Sequence, residues 1–153
     1  MPIRPDHRWL YPIDWRELSA FVRFTRAKGR CEHCGRPHGM RVRHLGDGRW
    51  YDDERGCWRD DHGRRVRGMV PPERIPRQLH LTELADDPML PSTHVVLASA
   101  HLDHDPGNNH QRNLAALCQR CHLVHDRPEH RRRRWATLFR RRALGDLFLG
   151  VYR

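Results

Sequence analysis

Four of the five cysteines fall in two Cys-x-x-Cys pairs, Cys31/Cys34 and Cys118/Cys121, set far apart in a chain of 153 residues. Zinc favours a tetrahedron of thiolates, and one Cys-x-x-Cys turn occupies one edge of it. Two such turns close the shell and leave no open position. The spacing therefore predicts that the segments around 31–34 and 118–121 meet at one structural Zn²⁺ ion. Paired turns of this kind in a chain with no signal-like N-terminus favour a metal over disulfides. Cys57 is left over and is expected as a free thiol. A metal staple also suits the composition, because 37% hydrophobic residues make a thin core at this length.

The formal charge is +10, which points to a polyanionic partner. Residues 1–8 contain no apolar run of signal-peptide length, and Val95 to Ala100 is too short to span a bilayer. A reducing cytoplasm and no membrane partner are the expectation.

The chain reads as one domain over 1–153 of α+β class. Residues 1–13, with three prolines, predict an extended arm. Asp14 and Glu17 have capping-box spacing, and the helix they start places Leu18, Phe21, Val22 and Thr25 on one face until Gly29 ends it. The stretch 14–38 is thus a helix and the first zinc knuckle. Residues 39–92 read as an insertion of short β-hairpins, with Val42, Leu45, Trp50, Tyr51, Trp58 and Val66 facing inward. Its proline-rich end predicts a loop with a short helix near 81–86. The core of the domain, 93–127, reads as a strand from His94 to His101, a turn at Asp105 to Asn109, a strand from Leu114 to Leu117 and a helix from Gln119 to Asp126. Pro128 disfavours helix at Arg127, so a break is expected there. A basic helix should follow over 129–144 within the C-terminal part, 128–153, with Trp135, Leu138 and Phe139 buried.

The segment 94–126 carries Ala100-His101-Leu102-Asp103-His104 and then Asn113-Leu114-Ala115-Ala116-Leu117-Cys118-Gln119-Arg120-Cys121-His122. It resembles the ββα-metal (His-Me finger) motif of HNH endonucleases of phage and bacterial type. That likeness extends to the Cys31/Cys34 knuckle and, more loosely, to the preceding helix. It implies a metal-dependent enzyme that hydrolyses DNA phosphodiester bonds and leaves a 5′-phosphate and a 3′-hydroxyl. The family's residues map onto His101, Asn113 and His122.

Chemistry gives each residue type a reason. A neutral imidazole at His101 can take a proton from an attacking water. His122 follows the second knuckle at a helix start, and Asp126 lies at i+4, where it can face the same ion. Asn113 can position the loop or touch the metal. The position before the base histidine, commonly Asp or His in the family, is Ala100 here. Two assignments follow. In one, His101 is the base and Asp103 or Asp126 supplies the carboxylate, and the His101-to-Asn113 interval favours this. In the other, Asp103 and His104 form the working pair and His101 supports it. A degenerate site that binds nucleic acid without cutting it is the rival reading. His, Asn and carboxylate donors suit Mg²⁺, Mn²⁺ or Ni²⁺. His125 stands between ligand and phosphate contact, while His7, His38, His44, His62, His80, His94, His110 and His130 read as surface residues.

Arg131, Arg132, Arg133 and Arg134, with Arg140, Arg141 and Arg142, are expected to contact DNA phosphates. No helix-turn-helix or finger array is visible to read bases. Phage packaging or restriction machinery is compatible as a protein partner.

Overall fold

A computed structural model describes residues 5–75, 90–142, 145–146 and 150–151. The short helix expected at 81–86 lies outside them. The architecture is α+β: helices with small antiparallel two-stranded sheets.

Residues Pro5–Leu10 form a 3₁₀ helix where an extended arm was expected. Proline at its first position explains this, since its φ is preset for a helical turn and its missing N–H is not needed there. The first α-helix, α1 (Trp15–Ala20), starts at Asp14 as expected, but the Asp14 side chain makes no capping bond. It passes directly into a π-helical stretch, Phe21–Arg26. The wider turn rotates later positions out of register with earlier ones. Val22 is buried and Leu18 packs against the core, whereas Phe21 and Thr25, expected on the same face, are exposed. Lys28 and Gly29, at φ 52 and 68, turn the chain into the first knuckle.

The segment expected as an insertion, 39–92, is paired both within itself and with the strand that follows it. Strand β1 (Arg41–Arg43) pairs with β4 (Ser92–His94), and β2 (Trp50–Asp52) with β3 (Cys57–Arg59). Of the positions expected to face inward, Val42, Trp50 and Trp58 are buried, while Leu45, Tyr51 and Val66 are half-buried. Buried Asp52 takes a bond from Arg59 Nε at 2.7 Å, and Arg59 Nη1 donates to the Gly63 carbonyl at 2.6 Å. The loop after β3 is thereby held, and Gly63 lies against the Cys34 backbone.

The strand expected from His94 to His101 is broken at Val95 and Val96. It resumes as β5 (Leu97–His101), which pairs with β6 (Leu114–Cys118). Helix α2 (Gln119–Arg142) follows without interruption through Pro128. The expected break does not occur. Pro128 removes one N–H and crowds the Val124 carbonyl, but this stretch of helix is exposed, so water can take the lost bond. Glu129 then pairs with Arg132 at 3.0 Å and Arg133 at 2.8 Å, supporting the next turn at i+3 and i+4.

Continuity has a second consequence. A helix of 24 residues is about 36 Å long, and five-residue strands span about 17 Å. The hairpin covers less than half of it. Trp135, Leu138 and Phe139, expected to be buried, are 66%, 43% and 60% exposed.

Candidate functional site

The four paired cysteines are buried inside the hydrophobic core. The first knuckle is a tight turn closed by Gly35 N–H to the Cys31 carbonyl at 2.8 Å and Cys31 N–H to the Arg36 carbonyl at 2.9 Å. The end of β6 delivers Cys118 and the first turn of α2 delivers Cys121. Their sulfurs all lie within 4.8 Å of one another. Cys34 and Cys118 are 3.6 Å apart, far beyond a disulfide of about 2.0 Å. A Zn–S bond of about 2.3 Å makes a tetrahedral edge of about 3.8 Å, close to that separation. The donor set and spacing fit a structural zinc ion. Crowding already polarises the thiols: bonding to Cys118 pulls Cys31 well below the ordinary thiol range, and bonding to the same residue pushes Cys34 up. The backbone N–H of Cys118 points at Cys31 Sγ (3.3 Å), and exposed His33 Nδ1 lies 3.5 Å from Cys121 Sγ.

The same framework carries the histidines. His101 ends β5 opposite Leu114, and Asn113 immediately precedes β6. The loop between them is tied by short bonds. Asp103 accepts from the Asp105 N–H at 2.9 Å and from the Asn108 and Asn113 amides at 2.7 and 2.8 Å. These donors, the Asp105 N–H first, hold the Asp103 carboxyl down at about 2. Its oxygens are engaged in the loop, and Asp103 is not among the groups gathered around Asp126. Asn113 likewise braces the loop.

This bracing presents His104 at positive φ (63) toward α2. There Asp126 sits between two imidazoles, with His104 Nδ1 at 3.4 Å and His122 Nε2 at 3.3 Å. The His104 and His125 rings stack at 4.4 Å, and His104, His125 and Asp126 offer ligand atoms within 4.8 Å of one another. Burial lowers the His122 pKa and favours its neutral, lone-pair form. His125 Nε2 lies 3.2 Å from the His101 carbonyl, which can only accept, so Nε2 carries the hydrogen and Nδ1 is bare. Ala100 is 2% exposed and packs in the core, so the side chain that precedes His101 contributes nothing here.

His101 is held differently. Its ring lies parallel to Trp15 at 5.5 Å and 8°, with Tyr11 edge-on at 5.8 Å. Nε2 is 3.0 Å from Asn109 Oδ1. The Asn109 amide nitrogen donates to the Leu10, Pro106 and Gly107 carbonyls at 2.8, 3.2 and 3.3 Å, which fixes which end of the amide faces the ring. An amide oxygen only accepts, so Nε2 carries the hydrogen and Nδ1 is free to take a proton. Asn109 and Trp15 were not legible as site residues, since one reads as a turn former and the other as an isolated aromatic.

His101, His104, His122 and Asp126 line one cleft of about 620 Å³, with Arg23, His7, His130 and Arg133 around them. Among the basic residues of α2, Arg132 and Arg133 pair with Glu129, whereas Arg131, Arg134 and Arg140 are exposed. The side chains of Arg141 and Arg142 lie outside the described residues. His38, read as a surface residue, accepts the Leu97 N–H at 3.0 Å and anchors the start of β5. Among the described residues no helix is long and apolar enough to cross a membrane. No protein-family model, curated protein or solved structure matches the chain.

Proposed function

We propose that this chain is a metal-dependent HNH endonuclease that hydrolyses DNA phosphodiester bonds. The observation that carries the reading is the convergence of His101, His104, His122 and Asp126 on one cleft, beside a cysteine tetrad that can hold zinc. His104, His125 and Asp126, whose ligand atoms lie within 4.8 Å of one another, would hold the divalent ion, with His122 beside Asp126 at 3.3 Å. When bound, that ion stabilises negative charge on the scissile phosphate and the leaving oxygen. Two or three imidazoles and one carboxylate form a nitrogen-rich set that suits Mn²⁺ or Ni²⁺ better than Mg²⁺, which prefers oxygen. His101 presents a bare Nδ1 to the attacking water, with Asn109 fixing the tautomer and Trp15 the ring plane. Arg23 supplies positive charge along the cleft for the phosphate backbone, while Arg133 on the same wall is paired with Glu129.

A second reading, a zinc-containing nucleic-acid-binding protein that does not cleave, is favoured by one feature: a buried Ala100 where the resembling family places a metal ligand. Plasmid nicking with Mg²⁺, Mn²⁺ and Ni²⁺ separates the two. The endonuclease reading expects nicking that is lost in His101→Ala with DNA binding retained. It expects His104→Ala to raise the metal concentration needed. Full activity in both variants would sink the assignment, and no cleavage with any of the three ions would favour the binding reading.

A further inference from the structure

Because α2 runs unbroken through Pro128, side chains that a break would have separated share one face. Arg120, Arg127, Arg131 and Arg134 line a shallow groove of about 480 Å³ whose floor is the exposed aliphatic pair Leu123 and Val124. The four arginines cover about 21 Å of helix at 1.5 Å per residue. Among the described residues no carboxylate lines the groove. The neighbouring Arg132 and Arg133 differ, because they share the Glu129 carboxylate, which offsets half of their charge. One turn on, Trp135 and Phe139 are exposed and stacked on each other at 5.3 Å and 14°. Leu123 and His130 line both this groove and the histidine cleft, so the two surfaces meet along one ridge.

We infer that this face binds the backbone of an unpaired DNA strand leading away from the cleft. Arg127, Arg131 and Arg134 meet phosphates, and the Trp135–Phe139 pair stacks on a base. An unbroken run of cations calls for a polyanion. Exposed parallel rings among arginines call for a free base face, which duplex DNA hides and unpaired nucleotides present. The inference deepens the proposed function and rests on it only for the choice of DNA among polyanions.

The test is fluorescence anisotropy of a labelled oligothymidine and of a duplex of equal length across a salt series. No divalent ion is added, so the result does not depend on cleavage. The wild type should bind the single strand more tightly. Arg127→Gln/Arg131→Gln/Arg134→Gln should reduce the log–log salt slope by about 2, at about 0.7 for each phosphate left without its arginine. Arg132→Gln/Arg133→Gln should reduce the slope by less than half as much, because Glu129 already offsets part of that pair's charge. Trp135→Ala should weaken single-strand binding about tenfold and spare the duplex. All substituted side chains are exposed, and retention of one zinc per chain checks folding. An unchanged slope in the triple variant, an equal loss in the Arg132/Arg133 variant, or tighter binding to duplex would overturn the inference. Binding to anionic phosphatidylglycerol vesicles with none to the oligonucleotide would overturn it as well.

Discussion

Gly63 offers a clean test of how the loop after β3 supports the Cys31–Cys34 turn. It lies in the loop after β3 at φ +79, and a Cβ built there would fall 2.8 Å from the Cys34 carbonyl oxygen and 3.0 Å from its carbon. Gly46 has nearly the same backbone, φ +84, but a Cβ there would meet nothing within 4 Å. Alanine at either position bears the left-handed strain of about 1–2 kcal/mol. Only at position 63 must backbone also move, and that backbone carries Cys34 of the cysteine cluster that can hold a metal. Overpacking of this kind costs a further 1–3 kcal/mol or so. Gly63→Ala should therefore melt roughly 2–12 °C below Gly46→Ala, at about 2–4 °C per kcal/mol for a chain of this size. Zinc release to a chromogenic chelator should be faster in Gly63→Ala alone. Equal melting temperatures and equal release in the two variants would refute the contact between the loop and the knuckle as a source of stability.

Further outcomes follow from the same geometry. The chain should bind one zinc ion, and Cys118→Ser should abolish that binding and most of the protein's stability, read by elemental analysis and thermal melting, since metal binding and folding are linked in such sites. Asn109→Ala should reduce nicking about 10–100-fold, as loss of an orienting partner does. Imidazole ¹⁵N shifts should show His101 losing its single Nε2–H tautomer even if no nicking is found. The Asp103 carboxyl, held near 2 by loop donors, binds its proton less readily in the folded chain than in the unfolded one. The stability it lends is thus complete above about pH 4 and disappears as pH falls toward 2. Asp103→Asn should remove that dependence from an acid titration and loosen loop 102–113, because an amide offers donors a poorer acceptor.

Much of the cysteine cluster could be read directly from residue type and spacing. A thiolate pair at i and i+3 has little use in a packed core except on a metal, so Cys31, Cys34, Cys118 and Cys121 announced their meeting. Strands β5 and β6 were visible because short apolar runs, Val95 to Ala100 and Leu114 to Leu117, lie on either side of a strong turn at Asp105 to Asn109. Legibility failed where a local rule met a wider context. Pro128 is a helix breaker in isolation, yet solvent and the Glu129 pairs carry α2 through it. Trp135 and Phe139 look like core residues by composition, and only the length of the helix leaves them in water. The Asp14/Glu17 pattern starts a helix without making its capping bond, and the π-helical turn after Ala20 cannot be seen in a periodicity that assumes 3.6 residues per turn.

The amino-acid order alone determined which atoms could bind a metal: four sulfurs, a set of imidazoles and a few carboxylates, each with a fixed chemistry. It did not determine which of them converge. Asp103 and Asp126 are equally good ligands as residues, but the loop's own N–H groups engage the first, while α2 sets the second between His104 and His122. His101 owes its single tautomer to an asparagine eight residues away, held in turn by the N-terminal segment. Such choices belong to the tertiary structure because they depend on competition for hydrogen bonds among groups distant in the chain, and that competition is decided only when the chain packs.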